Sequence, residues 1–180
     1  MVWLDPEKTS PYAFYQFWIN TDDQSAEKYI KIYTFLELEE IESMIEEHRK
    51  APEKRLLQKT LAFEVTKLIH GEETTKRVIE ASDVLFSKEA LNLSDEIINI
   101  LASEMPTSEI SRSELSALTT VDIIAQSGLT KSKTETRQLI DGKWITINNQ
   151  AAADFDWNSV KSHAALLRKW KKDYRLLIIK

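Results

Sequence analysis

Ser127-Gly128-Leu129-Thr130-Lys131-Ser132-Lys133, followed by Trp144-Ile145-Thr146-Ile147-Asn148-Asn149, marks the point where this chain turns from helices to strands. The first block ends a short helix begun by Val121, Ile123 and Ile124, and opens a second over about 131–140. The second block alternates large and small β-formers, and its Asn-Asn end is a turn pair that tolerates positive φ. Further on, Leu166-Leu167 and residues 174–179 flank Arg168-Lys169-Trp170-Lys171-Lys172-Asp173, which reads as a basic hairpin tip. Residues 119–180 are therefore expected to form a small α+β module, two helices packed on a short, mostly antiparallel sheet.

Upstream the pattern is helical. Ser10-Pro11 is a capping residue followed by proline at the first helical position, where its missing N–H costs nothing. That helix carries Tyr12, Phe14, Tyr15, Phe17 and Trp18 and should end near Asn20-Thr21-Asp22-Asp23. Five aromatics in seven residues at helical spacing read mostly as core, with one or two free. Helices are also expected over about 25–34 and 37–49, the latter with Ile41, Met44, Ile45 and His48 on one face. Ala51-Pro52 should start a longer one, lined by Leu57, Leu61, Val65 and Leu68 and ended by His70-Gly71. A fifth, over about 73–85, completes an all-α domain at 1–86. Residues 87–118 read as a linker with one short capped helix at Leu93-Ser94-Asp95-Glu96. The fold class is α+β: about five helices, then the small mixed module.

Composition narrows the chemistry. The 180 residues, 42% apolar and 29% charged, suit one medium or two small globular domains. With no cysteine there are no disulfides or thiolate nucleophiles, and 3 glycines leave no phosphate-cradling loop. No apolar run reaches bilayer length and Met1-Val2-Trp3-Leu4-Asp5 is no signal peptide, so no membrane and a cytoplasmic location are expected. Residues 119–180 hold 11 Lys and Arg against 6 Asp and Glu, whereas residues 1–118 hold 13 against 23. A basic third on an acidic chain suggests an anionic partner, nucleic acid first. An unevenly charged solvated face is the other reading, and charge alone does not separate them.

Catalysis finds no purchase. His48, His70 and His163 are far apart, and none has metal-ligand spacing. His70 at a helix C-terminus is expected to stabilise that end through the dipole. Glu37-Leu38-Glu39-Glu40 and Glu46-Glu47 read as solvated carboxylates. No catalytic residue and no metal site are assigned.

One stretch carries a resemblance. Residues 3–12, Trp3-Leu4-Asp5-Pro6-Glu7-Lys8-Thr9-Ser10-Pro11-Tyr12, continue through Phe14-Tyr15-Gln16-Phe17-Trp18-Ile19-Asn20-Thr21-Asp22-Asp23. This segment resembles bacterial-type tyrosyl-tRNA synthetases just after their KMSKS-like ATP-activation loop. The likeness continues at Phe35-Leu36, Lys50-Ala51-Pro52-Glu53-Lys54-Arg55 and Glu64-Val65-Thr66-Lys67-Leu68-Ile69-His70-Gly71. The block around Ser127–Lys133, with Arg137, Ile140 and the strand at 145–149, resembles the small RNA-binding domain named after the fourth small-subunit ribosomal protein. The family often has glycine where Thr134, Asn149 and Trp170 stand here. Trp170 cannot supply a glycine conformation cheaply, so either the loop is wider or the indole is exposed for a purpose.

The resemblance implies the C-terminal half of a class I tyrosine–tRNA ligase, an anticodon-binding helical domain plus a terminal RNA-binding domain. The partner would be tyrosine tRNA. The catalytic domain, with its use of ATP and magnesium and its homodimer contact, would lie outside this chain. By itself the chain is expected to be a cofactor-free, inactive monomer. RNA contacts are expected from Lys131, Ser132, Lys133, Arg137 and Lys143, and from Arg168, Lys169, Trp170, Lys171, Lys172 and Arg175, with the lysines and arginines on phosphates. A carboxylate matches the N1–H and N2–H₂ edge of guanine, the first anticodon base of bacterial tyrosine tRNA. Asp22 and Asp23 are the first candidates and Asp173 the next, while a helix cap is the equal reading of the first two. A non-catalytic structured-RNA-binding or splicing-cofactor role, and a purely structural one, are the rivals.

Overall fold

The computed structural model describes residues 2–86, 93–170 and 173–180. The chain divides into two units, Met1–Ser82 and Asp83–Lys180. The first is built of α1 (Pro11–Ile19), α2 (Asp23–Tyr33), α3 (Leu38–Lys50), α4 (Leu56–His70) and α5 (Glu72–Phe86), within which the division falls. At the start of α1 the Ser10 hydroxyl accepts from the Ala13 N–H at 3.0 Å, with Pro11 in the first turn.

Helix α4 is the centre of this unit, and α1, α2 and α3 all pack on it. Leu57, Leu61 and Val65 meet Phe14, Ala26, Ile30, Ile41 and Ile45 in one cluster. On the adjacent face Ala62 joins Tyr15 and Val78 in another. Fully burying a side chain such as Leu57 or Leu61 contributes about 1.5–3 kcal/mol.

Three details depart from the sequence reading. Pro52–Lys54 forms one 3₁₀ turn and Arg55 is left-handed at φ 54°, so α4 starts at Leu56. Arg55 holds that corner by donating to the carbonyls of Ile19 (2.6 Å) and Thr21 (3.3 Å). Leu68 is 54% exposed, because the four-residue series 57, 61, 65 continues at Ile69. His70 lies edge-on to Phe14 with centroids 5.0 Å apart, and burial pushes its pKa down. The neutral imidazole is thus favoured, and a charge–dipole role at the helix end is not.

The second unit contains α6 (Asp95–Glu104), β1 (Thr107–Ile110), α7 (Arg112–Ala117), α8 (Thr120–Gln126) and α9 (Lys133–Asp141). Strands β2 (Ile145–Ile147), β3 (Gln150–Ala151), β4 (Ala164–Lys169) and β5 (Asp173–Ile179) follow. They form one mixed sheet in the order β1-β5-β4-β2-β3, with β1 parallel to β5 and the other pairs antiparallel. One sheet face, with Ile145, Ile147, Ala165, Leu167 and Leu177, packs with Leu115, Ile123, Ile124 and Ile140 of the helices. Leu166 and Leu176 alternate with these and are fully buried on the opposite side, where α6 packs on β5.

Here the structure corrects the linker expected at 87–118; residues 87–92 of it lie outside the described residues. The rest carries α6, β1 and α7, and Ile110 and Leu115 belong to the sheet's core. The capped helix read at Leu93-Ser94-Asp95-Glu96 is α6, with Ser94 accepting from the Ile97 N–H at 3.4 Å. Ser111 caps α7 in a reciprocal capping box with Glu114. The β2–β3 turn is a two-residue one, with Asn148 and Asn149 at φ 47° and 64°. Asn148 also pairs with Leu166 through both its N–H (2.9 Å) and its side-chain oxygen (2.8 Å). Among the described residues no helix is long and apolar enough to cross a membrane.

Candidate nucleic-acid interface

The predicted cations of the second unit gather at two adjoining places, the start of α9 and the β4–β5 tip. Helix α9 follows a turn in which Gly128 is left-handed at φ 79°. A side chain there would meet the Arg175 guanidinium, which comes within 3.5 Å of where a Cβ would stand. Arg175 is half-buried and lies against this turn from β5. Ser132 caps α9, accepting from the Glu135 N–H at 3.1 Å, while Glu135 accepts from the Lys131 N–H at 2.7 Å. Its hydroxyl is therefore committed to the helix end.

Lys133 reaches back to α8, its Nζ 2.6 Å from Asp122 Oδ1. That ammonium, with the Thr119 hydroxyl next, holds the Asp122 carboxyl down to about 2. Lys131 and Arg137 are exposed and form no ion pair among the described residues. The two places meet at Lys169, whose Nζ lies 3.9 Å from Glu135 of α9 and 3.5 Å from Asp173 across the hairpin.

At the tip a cleft of about 620 Å³ is lined by Lys143, Trp144, Thr146, Arg168, Lys169, Trp170 and Asp173. Such a volume lies within the range of small-ligand sites. Its floor follows from strand alternation: Ile145 and Ile147 face the core, so Thr146 faces out, opposite Arg168 of β4. Arg168 Nε donates to the Thr146 hydroxyl at 3.2 Å. Lys143 and Trp170 on the rim are left-handed, at φ 58° and 55°. Trp170 thus adopts the glycine-like conformation and also stands 53% exposed, with the Lys169 ammonium 5.3 Å from its ring centroid. Lys171 and Lys172 lie outside the described residues.

The sequence reading missed Trp144, which is 57% exposed and forms a cleft wall. The alternation at 144–147 holds the signal, because it puts Trp144 on the same outward face as Thr146. It missed Gly142 as well. A glycine after a helix is expected to take the left-handed position, but Lys143 does so. The Lys143 N–H then bonds the Ile140 carbonyl at 2.9 Å and the Trp144 N–H the Leu139 carbonyl at 2.8 Å. Gly142 instead makes room, since a Cβ on it would stand 2.5 Å from Trp144 Cδ1.

Asp22 and Asp23 lie in the other unit, at the start of α2. Asp22 is the cap: its Oδ1 accepts from the Ser25 N–H at 2.9 Å, which lowers its pKa. Asp23 Oδ1 accepts from Gln58 Nε2 at 2.5 Å and from His48 Nε2 at 3.1 Å, and these bonds lower its pKa in that order. Gln58 and His48 are both buried. One oxygen of each aspartate thus serves the fold, and the Asp23 side chain remains 61% exposed.

Comparison with known proteins bears on both units. The family model for class I tRNA synthetases (W and Y) matches residues 1–87. A tyrosine–tRNA ligase of Bacillus pumilus is 42% identical over 99% of this chain and 43% of its own length. That of Anaeromyxobacter dehalogenans is 38% identical over 99% of this chain and 44% of its own. A C-terminally truncated mitochondrial tyrosyl-tRNA synthetase of Aspergillus nidulans superposes with TM-score 0.46. It is 39% identical over 47% of this chain and 24% of that one. The chain therefore spans less than half the length of the relatives it matches.

Proposed function

On the premise that this chain is related over nearly its whole length to the tyrosyl-tRNA synthetases, we propose that it is a tRNA-binding portion of such an enzyme. The observation that carries this is the extent of the likeness. A single relative matches both units, and one of these units places Lys143, Arg168 and Lys169 around an aromatic cleft. In this reading the helical unit recognises the anticodon region of tyrosine tRNA, and the α+β unit grips the backbone. Activation of tyrosine belongs to residues outside the chain. Among the described residues Asp173 is the one carboxylate lining the cleft, and it is ion-paired with Lys169.

Lys131, Arg137, Lys143 and Arg168 are assigned to phosphates. Lys133 contributes less, because Asp122 already neutralises it. For the anticodon guanine we assign Asp22 ahead of Asp23. Asp22 gives its acceptors to Ser25 within its own helix start, whereas Asp23 is held by two buried partners from other helices. A binding titration against tyrosine tRNA, an unrelated tRNA, and tyrosine tRNA with adenine at the first anticodon position tests both parts. Preference for the first over the second supports the tRNA assignment; equal affinity for all three overturns it. Asp22→Asn should erase the guanine preference, worth roughly 5- to 150-fold by analogy with paired groove contacts. A retained preference sinks Asp22 as the reader.

A further inference from the structure

We propose that Arg55, His48 and Gln58 are positioning residues for base recognition: they brace the corner between α1 and α2 so that Asp22 is presented in one direction. The proposal rests on the reading that Asp22 takes the anticodon guanine, and it names what makes that aspartate selective. None of the three touches the RNA in this account.

Asp22 stands exposed between two tethered neighbours. On one side Arg55 Nη2 donates to the carbonyl of Ile19, at the open end of α1, at 2.6 Å and to that of Thr21 at 3.3 Å. The Thr21 hydroxyl donates to the Trp18 carbonyl at 2.7 Å, tying the same residue to α1. On the other side Asp23 Oδ1 accepts from Gln58 of α4 and His48 of α3. Residues 21 and 23 are thus pinned to α1, α3 and α4, which leaves the residue between them little freedom to turn. The bond from the Ser25 N–H then fixes the Asp22 side chain.

The brace is held against the local preferences of its parts. Arg55 is left-handed at φ 54°, a conformation unfavourable to residues with side chains. Gln58 and His48 are buried, yet among the described residues Gln58 Oε1 and His48 Nδ1 have no hydrogen-bond partner. Unpaired buried polar atoms lower stability, and apolar side chains of similar shape would avoid that loss. A helix start needs only one cap, which Asp22 already supplies. Two donors brought from the core to one oxygen of the next residue therefore serve more than the helix. A reader held in place before its base arrives has less freedom to lose on binding. A loose carboxylate, by contrast, can shift to accept from the amino group of adenine as well.

The test titrates the full chain with tyrosine tRNA carrying guanine or adenine at the first anticodon position. Arg55→Gly removes both carbonyl tethers but suits the left-handed backbone, so the melting temperature should hold. Its guanine-over-adenine ratio should fall from roughly 5- to 150-fold towards 1, through weaker binding of the guanine form alone. His48→Leu should lower the ratio likewise, and His48→Gln, whose amide can donate to Asp23, should restore it. In an Asp22→Asn background Arg55→Gly and His48→Leu should change nothing further, because the brace acts through Asp22. Equal losses for both tRNAs, added to that of Asp22→Asn, overturn the proposal and leave the three residues as supports of the helical unit. If Asp22→Asn erases the preference while Arg55→Gly and His48→Leu keep the wild-type ratio, the brace falls and the Asp22 reading stands. If Asp22→Asn itself keeps the wild-type ratio, the reading falls and the proposal with it.

Discussion

Helices α2 and α9 begin with the same device and put it to opposite uses. Each is capped by a side-chain oxygen, Asp22 in one and Ser132 in the other. At α2 the next residue, Asp23, stays exposed but gives one oxygen to buried Gln58 and His48. At α9 the charged residues stay outside: Lys133 bridges to α8, Glu135 approaches Lys169, and Lys131 and Arg137 face water. A charge at a helix start is thus read by what lies beneath it. At α2 the buried Gln58 and His48 draw the carboxylate in as a structural acceptor; at α9 the buried Thr130 and Thr136 hydroxyls pair with each other at 2.6 Å and make no demand on the outer charges.

The sharpest way to break this comparison is the salt dependence of tRNA binding. Replacing Lys131, Arg137, Lys143 and Arg168 by alanine together should flatten the log–log slope by about 3, at roughly 0.7–0.9 per phosphate contact. Asp22→Ala combined with Asp23→Ala should leave that slope in place. A fourfold cation variant with the wild-type slope would move the backbone-gripping surface elsewhere.

Stability should respond the other way round. Asp23→Ala leaves the buried Gln58 amide and His48 ring without their acceptor, a loss of about 1–3 kcal/mol for such groups, measured by urea denaturation. Asp22→Asn should be nearly silent, because asparagine caps almost as well. Equal effects of the two would mean that Asp23 is no more than a second cap.

A smaller effect separates the ends of α8 and α9 by pH. The Asp122 carboxyl is held at about 2, below its ordinary 3.8, so its tether to Lys133 stabilises the fold fully above about pH 4. That contribution fades as pH falls from there through about 2. Asp122→Asn should therefore flatten this part of an acid-denaturation profile for the second unit, and an unchanged profile would show that the bridge is idle. The smallest expected change is in Lys133→Ala, which should alter the salt slope less than Lys131→Ala does, because Asp122 already screens Lys133.

What the sequence made legible follows from periodicity. The positions of α1 to α5, the α8–α9 pair and the β2 strand are all written in spacing and caps, and the structure has them within a few residues. Strand β1 was not legible. Thr107-Ser108-Glu109 has no apolar alternation, and only its pairing with β5, far along the chain, makes it a strand. Asp23 was half legible: a cap-like aspartate is visible locally, but Gln58 and His48 reach it from α4 and α3. The aromatic cleft was hidden for another reason. Trp144 looks like an ordinary strand residue until its parity with Ile145 is fixed by the core, and Gly142 looks like a helix stop until the indole is seen above it.

The pairing of β1 with β5 has a consequence for the chain as it is being made. Thr107 finds its partner in Leu176, roughly 70 residues later, and β5 lies between β1 and β4 in the sheet. At a synthesis rate of about 5–20 residues per second, β1 leaves the ribosome roughly 3–14 s before the strand that completes it. For that interval it is an open edge, the kind of surface on which nascent chains stick to one another. Its composition fits the wait. Three of its four residues are Thr107, Ser108 and Glu109, so the strand that must stand alone longest is also the one that water tolerates best.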